Sequence, residues 1–192
     1  MTDTTKISAT EVNGLDRDKL FGTIDLIKAT PELAKFNFKV HNEWLNGAHS
    51  RSTINTFFGA GTNFEHPVTF DLDADEPAIL LGSDQGPNAG EYLLHALAAC
   101  VTSAMVYHAA ARGISIEEVE SSIDGDVDLR GFLGIDKNVR SGFQEIRMKF
   151  RIKADVSDEQ LQELCALGQQ YSPILDSITK GVPVKIAAER MA

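Results

Sequence analysis

The chain has little of what marks secreted, disulfide-stapled or multidomain proteins. Only two of its 192 residues are cysteines, and they lie far apart in the sequence. A disulfide scaffold is therefore not expected, and the reducing cytoplasm is the expected location. The first residues do not combine a basic stretch with an apolar one, so no secretory signal is predicted. Because no stretch rich in proline, glycine and serine divides the chain, a single domain is expected.

Positive charge and metal-ligand patterns are also scarce. The formal net charge is -10, which repels phosphate backbones and anionic lipids, so neither nucleic acid nor a membrane surface is an expected partner. The histidines show no ligand spacing with either cysteine, so no metal site and no cofactor are predicted. The acidic run at Asp124, Asp126 and Asp128 alternates with the period of a strand, which indicates a solvated strand face.

One long apolar helix is the main feature that is present. Tyr92–Ala111 is free of formal charge over twenty residues, the length of a transmembrane span. Its two histidines, its hydroxyl groups and its many alanines favour a helix buried inside protein instead. Asn88 and Glu91 form a pattern typical of a helix start, and Arg112-Gly113 a pattern typical of a helix end. A helix that is apolar on all sides needs cover on all sides, and a second copy of the chain is the natural candidate.

Strand patterns come in runs rather than alternating with helices. Alternating positions predict three strands before the long helix, around residues 36–40, 54–58 and 68–72, and an apolar run predicts a fourth at Ala78–Leu81. Three more strands are predicted after the helix, around residues 119–129, 143–156 and 182–186. Helices are predicted near Arg17–Lys28, over Asp158–Gln170 and after Ser172-Pro173. This order favours an α+β fold with a mostly antiparallel sheet and a long central apolar helix.

Cys100 is the residue with the most chemical potential. It lies in the middle of the long helix among small neighbours, where an unpaired cysteine is also commonly a small buried hydrophobe. His95 lies about 140° around the helix from it, too far to act directly as its base. Cys165 falls on the apolar stripe of an amphipathic helix, so a place in the core is predicted for it.

Several stretches together resemble the OsmC/Ohr family, the osmotically inducible and organic-hydroperoxide-resistance proteins. GPNAGEYLLHALAACVTSAMVYHAAARGI is similar to the cysteine helix of that family, and YSPILDSITKGVPVKI is similar to its second motif. IDGDVDLRGF and DEPAILLGSDQGPN fit the same pattern. The resemblance covers about residues 35–188, which predicts an N-terminal arm with short helices at 1–34 and an OsmC-like domain at 35–192.

The resemblance implies an intertwined homodimer with two equivalent sites at the dimer interface. Family members of known activity are thiol peroxidases that reduce organic hydroperoxides. In them a first cysteine, which matches Cys100, attacks the peroxide, and an arginine, best matched by Arg51, lowers its pKa. A glutamate near the start of the cysteine helix holds the arginine, and Glu91 is the candidate here. A second cysteine then resolves the oxidised first one as a disulfide.

The sequence departs from that scheme at two positions. The second cysteine should precede the proline of the later motif, where this chain has Ser172, a residue suited to capping a helix. Cys165, seven residues earlier, is a doubtful substitute because disulfide geometry is strict. The glutamate of the hydroperoxide-resistance branch falls on Gly90, and Glu91 lies one residue further on, about 180° around the helix from Cys100. A role for Glu91 as a helix cap is therefore an open alternative.

These residues leave three functions open. The first is an enzyme: a one-cysteine peroxidase that reduces small organic hydroperoxides in oxidative-stress defence, with an external thiol as reductant. The alternative is a non-enzymatic OsmC-like protein that binds a small hydrophobic ligand in the same apolar site. A third is a redox sensor in which oxidised Cys100 alters a contact with a partner.

Overall fold

The computed structural model describes residues 10–191. The chain forms two compact units, divided in sequence between His95 and Ala96. The predicted boundary between an arm at 1–34 and a domain at 35–192 stays a prediction, and residues 1–9 of that arm lie outside the described residues. Each unit has its own secondary structure.

The first unit opens with a small hairpin and a helix. Strands β1 (Glu11–Val12) and β2 (Leu15–Asp16) pair through a tight turn, and helix α1 follows at Arg17–Ala29. The Asp16 carboxylate accepts a hydrogen bond from the Lys19 backbone N–H at 3.1 Å and caps the helix. A 3-10 helix at Pro31–Ala34 comes next. The predicted helix near Arg17–Lys28 is confirmed.

An antiparallel sheet forms the rest of this unit's regular structure. Its strands are β3 (Asn37–Phe38), β4 (His41–Asn46), β5 (His49–Gly59) and β6 (Thr62–Ala74). Strands β3 and β4 pair with successive parts of β5, and β6 pairs along its other edge. Asn46 and Gly47 form the turn of the β4–β5 hairpin, where Gly47 takes the left-handed conformation with φ 58°.

Side chains alternate between the two faces of this sheet. Arg51 lies directly opposite Asp73 on β6 and Glu43 on β4, so these three share one face. Ser52 lies opposite Leu72 and therefore belongs to the other face. One face is thus charged and the other mostly small or apolar.

The predicted strand at Ala78–Leu81 is wrong. Ala78–Leu80 form a 3-10 helix, and Leu81 takes a left-handed conformation with φ 67°. The Pro77 carbonyl accepts hydrogen bonds from the backbone N–H groups of Leu80 and Gly82 at 2.8 and 3.3 Å. A local turn therefore satisfies the backbone here, and a run of four apolar residues does not by itself supply a neighbouring strand.

Helix α2 (Ala89–Ala111) begins in the first unit and ends in the second. Its predicted start is confirmed: the Asn88 N–H donates to Glu91 Oε2 at 2.8 Å and the Glu91 N–H donates to Asn88 Oδ1 at 2.9 Å. Gly113, with φ 74°, follows its end. By length and composition the helix could cross a membrane, and 28% of its most apolar window is buried in protein. A single helix of this kind is weak evidence for a membrane span, because core helices of water-soluble folds have the same properties.

The second unit packs a two-stranded sheet and helix α4 against the C-terminal part of α2. Its elements are β7 (Ile116–Asp126), a short helix α3 (Leu129–Phe132), β8 (Glu145–Ala154), α4 (Asp158–Gln170) and α5 (Pro173–Lys180). Strands β7 and β8 are antiparallel. The core cluster consists of Met105, Ala109, Leu164 and Leu167. Both predicted C-terminal helices are confirmed, and Ser157 and Gln160 form a capping box at the start of α4.

The final predicted strand at Val182–Ile186 is wrong. Residues 181–191 have no regular structure, and Val182, Val184 and Ile186 are 61, 75 and 92% exposed. Alternating valine and isoleucine indicate an apolar face, but a strand also needs a hydrogen-bonding neighbour. The part of the chain that the structure describes provides none for this segment.

The acidic run is confirmed as an exposed feature of β7, and an arginine balances it. Arg147 on β8 donates to the carboxylates of Asp124 and Asp126. Asp128 lies beyond the strand, where its carboxylate caps α3 and pairs with Arg130. Within residues 10–191, no cluster of histidine, cysteine and acidic side chains has the geometry of a metal site.

Candidate functional site

Cys100 lies on α2, in the second unit, beside the buried stripe of that helix. The stripe consists of Leu97, Val101, Met105 and Ala109. The side chain of Cys100 is a free thiol of intermediate exposure, so it is neither sealed in the core nor fully in solvent. Its carbonyl accepts a hydrogen bond from the Ser103 hydroxyl at 3.1 Å. A thiol in this position is open to a small reagent.

Cys165, the other thiol, packs against the core. It is partly buried and contacts the cluster that includes Leu164 and Leu167, so it lies at the edge of the predicted core rather than inside it. Burial raises the pKa of the Cys165 thiol above its usual value, so the reactive thiolate is less populated at neutral pH. No disulfide joins Cys165 to Cys100. The two thiols of the chain therefore differ in environment, and Cys165 is the less suited to nucleophilic attack.

Ser172 occupies the position where the resemblance expects a second cysteine. It is 1% exposed, and its hydroxyl accepts a hydrogen bond from the Leu175 backbone N–H at 3.2 Å. It thereby caps α5, with Pro173 in the first turn. The predicted capping role is confirmed, and a hydroxyl cannot form a disulfide.

Arg51 lies on β5, in the first unit, and is held by a carboxylate that the sequence analysis missed. Its Nε donates to Asp73 Oδ1 at 3.0 Å and its Nη2 donates to Asp73 Oδ2 at 3.1 Å, a bidentate pair. The ring nitrogen Nε2 of His49 lies 2.8 Å from the same Asp73 Oδ1. The hydrogen bond from His49, followed by that from Arg51, holds the pKa of Asp73 below its usual 3.8. Asp73 is therefore a stable anion at neutral pH.

Glu91 makes a different contact from the one that the resemblance suggests. Its carboxylate accepts the backbone N–H of Asn88, as the capping box requires. Among residues 10–191, Glu91 and Arg51 form neither a hydrogen bond nor an ion pair with each other. The structure thus places Arg51 and Glu91 in the first unit without joining them.

A second aspartate fixes the loop that precedes α2. Asp75 is 3% exposed, and its carboxylate accepts backbone N–H groups from Glu76, Ser83 and Gln85 at 2.8, 3.0 and 3.3 Å. Burial acts to raise the pKa of Asp75, but these hydrogen bonds outweigh it, and the pKa lies below 3.8. The sequence offered one signal for both aspartates: polar residues alternate with Phe70 and Leu72 along β6.

Two surface depressions lie in the first unit. An open groove of about 640 Å³ is lined by Asp84, Gly86, Pro87, Glu91, Tyr92 and His95. A smaller, more apolar cleft of about 280 Å³ is lined by Asn42, Ser50, Ser52, Leu72, Ala74, Ala89 and Tyr92. The cleft therefore lies on the sheet face that carries Ser52, opposite the face that carries Arg51.

Comparison with known families gives a match to OsmC-like protein over residues 82–187. This stretch is more than half of the chain and contains α2 with Cys100 and the helix capped by Ser172. No curated protein sequence matches significantly.

Solved structures of similar fold come from several bacteria. The OsmC-like protein of Mycoplasma pneumoniae has 17% identity and a TM-score of 0.57, over 76% of this chain and 89% of its own. An OsmC-like protein of Vibrio cholerae has 12% identity and a TM-score of 0.53, over 74% and 94%. An organic hydroperoxide resistance protein, OsmC, of Legionella pneumophila has 18% identity and a TM-score of 0.53, over 77% and 94%. At these identities the likeness shows a shared α+β fold.

Proposed function

The chain belongs to the OsmC-like protein family, and on that premise we propose that it reduces organic hydroperoxides through a single peroxidatic cysteine, Cys100, in defence against oxidative stress. One observation carries the proposal. Both thiols are of intermediate exposure and lie within the stretch that matches the family, but Cys165 packs against the core and burial raises its pKa, whereas Cys100 lies on the long helix α2 outside that core cluster. The Legionella protein of similar fold, described as an organic hydroperoxide resistance protein, supports the same substrate class.

The first half of the reaction oxidises Cys100. Its thiolate attacks one peroxide oxygen, so that an S–O bond forms while the O–O bond breaks. The sulfur becomes a sulfenic acid, and the departing alkoxide takes up a proton to become an alcohol. Arg51 favours the thiolate and stabilises the negative charge that develops on the departing oxygen.

The second half of the reaction needs an external thiol, because Ser172 cannot form a disulfide. A first thiolate attacks the sulfenic sulfur, and water leaves once the hydroxide is protonated. A second thiolate then attacks the mixed disulfide, releases Cys100 as thiolate and leaves as the external disulfide. Two thiols are oxidised for each hydroperoxide reduced, and the reducing cytoplasm is the compartment that supplies such thiols.

We propose further that the working form is an intertwined homodimer with two equivalent sites. Leu93 and Tyr107 on α2 are 37 and 50% exposed, and Phe36, just before β3, and Phe38 on β3 are 51 and 75% exposed. Apolar surface of this extent indicates an interface, and a second copy covers it without requiring any other partner. A monomer in sedimentation velocity at micromolar concentration would contradict this part of the proposal.

The experiment that tests the function is intact-mass spectrometry after treatment with one equivalent of cumene hydroperoxide and a sulfenic-acid trap. Cys165→Ser is the matched control for Cys100→Ser, since each removes one thiol. We expect one adduct on the unmodified sequence and on Cys165→Ser, and none on Cys100→Ser. An adduct that persists in Cys100→Ser, or none on the unmodified sequence under conditions that oxidise a known thiol peroxidase, overturns the proposal.

A second candidate is a non-enzymatic protein that binds a small hydrophobic ligand. Its support is that two positions of the expected catalytic set serve local structure: Ser172 caps α5 and Glu91 caps α2. In that case Cys100 reacts with thiol reagents no faster than an ordinary exposed thiol, and an apolar dye binds to the dimer. A thiol at Cys100 that alkylates rapidly below pH 7 counts against this candidate.

A further inference from the structure

We propose that Asp73 is the positioning residue for Arg51, in the place that the family resemblance gives to a glutamate on the cysteine helix. This inference rests on the proposed function, because positioning Arg51 matters only if Arg51 activates Cys100. It assigns a new role to a strand residue that lies in neither of the two family motifs.

The geometry of the pair supports this role. Both Asp73 oxygens accept hydrogen bonds from Arg51, at 3.0 Å from Nε and 3.1 Å from Nη2. A bidentate pair fixes the plane of the guanidinium as well as its position. Within residues 10–191, Nη1 of Arg51 makes no hydrogen bond. The pair therefore leaves one edge of the guanidinium free to face a thiolate or a peroxide.

Neighbouring carboxylates do not compete for this role. Glu43 lies directly opposite Arg51 on β4, on the same sheet face, but its carboxylate contacts His41 at 3.3 Å. Asp71, one position earlier on that face, accepts the Thr53 hydroxyl at 2.8 Å. Glu91 is engaged in the cap of α2. Of the carboxylates in the first unit's described part, only Asp73 is bonded to Arg51.

Asp73 is itself held firmly, as a positioning residue must be. The Tyr92 hydroxyl donates to the Asp73 carbonyl at 2.7 Å, which joins this end of β6 to the first turn of α2. A Cβ built on Gly86 would lie 2.2 Å from the same carbonyl oxygen, so the loop before α2 packs directly on the Asp73 backbone. The Nε2 atom of His49 also lies within hydrogen-bond distance of the Asp73 carboxylate, 2.8 Å from Oδ1.

A double-mutant cycle separates positioning from mere structural support. We would compare Asp73→Asn in the unmodified sequence and in Arg51→Ala, measuring kcat/KM for cumene hydroperoxide and the pH dependence of Cys100 alkylation in a Cys165→Ser background. Asp71→Asn is the matched control, because it removes the same charge from the same strand and face without touching Arg51. Circular dichroism checks that each variant is folded.

We expect Asp73→Asn to lower kcat/KM about tenfold or more, since misplacing a catalytic group by about 1 Å can cost about 100-fold. It should also move the alkylation profile of Cys100 to higher pH. In the Arg51→Ala background, Asp73→Asn should alter kcat/KM by less than about twofold. The control Asp71→Asn, in the unmodified sequence, should also alter kcat/KM by less than about twofold. That combination supports the role.

The contrary results are distinct from a failure of the proposed function. If the unmodified sequence reduces the hydroperoxide but Asp73→Asn behaves like Asp71→Asn, the positioning role is overturned while the function stands. An equal loss in both Arg51 backgrounds shows general structural damage and also overturns it. If the unmodified sequence neither turns over hydroperoxide nor forms a sulfenic acid, the proposed function itself is wrong and this inference falls with it.

Discussion

Gly168 lies on α4 where that helix packs closely against α2, the helix that carries Cys100. A Cβ built on Gly168 would lie 2.9 Å from the Val101 carbonyl oxygen and 3.1 Å from the Met105 Cβ. The first distance is to backbone, which cannot move aside as a flexible side chain can. Gly168→Ala must therefore shift one helix relative to the other.

Two opposing effects determine the size of the change. Alanine is favoured over glycine in a helix interior by about 1 kcal/mol. Overpacking a filled contact costs about 1–3 kcal/mol. The second effect is the larger, so we expect Gly168→Ala to reduce the free energy of unfolding by about 1 kcal/mol. For a chain of this size that corresponds to a fall in Tm of about 2–4 °C.

Gly22 in α1 provides the matched control. It is also a helix-interior glycine, but a Cβ built there meets nothing within 4 Å. Gly22→Ala should therefore raise the free energy of unfolding by about 0.5–1 kcal/mol. The assay is urea unfolding followed by far-UV circular dichroism. The same chemical change thus has opposite expected signs at the two sites, and a Gly168→Ala variant as stable as Gly22→Ala would refute the close approach of α4 to α2.

Three further changes test other parts of the structure. Leu164→Ala, at a fully buried core position, should cost about 2–5 kcal/mol in urea unfolding, and a loss below 1 kcal/mol would mean that the core is not packed as described. Ser172→Ala removes the cap of α5 and should cost about 1 kcal/mol, whereas Ser172→Asn, which keeps a capping group, should recover part of that loss if its larger side chain is accommodated. Burial and the charge of Arg112 hold the pKa of His108 below its usual 6.5, so below pH 6.5 the unfolded chain binds more protons at this site than the folded one. The stability that the neutral His108 contributes is complete above pH 6.5 and is lost as the pH falls through the lower pKa of the folded state. His108→Phe should therefore make the urea midpoint depend less on pH between about 7.5 and 5.5. An unchanged pH dependence would exclude His108 as its source.

Short-range signals in the sequence predicted the helices well. The capping boxes at Asn88 and Ser157, and the glycine after α2, each act within one turn of the chain. Because the physical interaction spans only three or four residues, the sequence contains all the information needed to recognise it. The bounds of α2 and α4 follow directly from these signals.

Strands were harder to predict from the sequence, because a strand needs hydrogen bonds to a neighbour that is distant in the chain. The alternation at Val182, Val184 and Ile186 is as regular as the one on β6, yet only β6 has a partner in the described chain. Ala78–Leu81 was mispredicted for the same reason: this apolar run has no neighbouring strand among the described residues, and Ala78–Leu80 form a 3-10 helix directly after Pro77. Local pattern fixes which side of a strand is apolar, and pairing decides whether the strand exists.

For the same reason, only part of the candidate site could be predicted from the sequence. Cys100 and Ser172 lie in the two family motifs, and Arg51 is the best match to the family's arginine. The partner of Arg51 lies twenty-two residues away on β6. Its register depends on an irregularity in the β5–β6 pairing between Ile54 and Thr56. One residue of slip would turn Asp73 to the opposite face, so no reading of the linear sequence could assign it.

The β4–β5 hairpin has a practical consequence for anyone who studies this protein by optical spectroscopy. It carries the chain's single tryptophan, Trp44, which is 72% exposed, with its indole N–H donating to the Gly47 carbonyl at 2.9 Å. An indole that is already exposed to water changes its emission wavelength little on unfolding. The tryptophan fluorescence of this protein is therefore a poor probe of unfolding. The same fluorophore shifts to shorter wavelength when another surface covers the hairpin, and it therefore reports contact rather than folding.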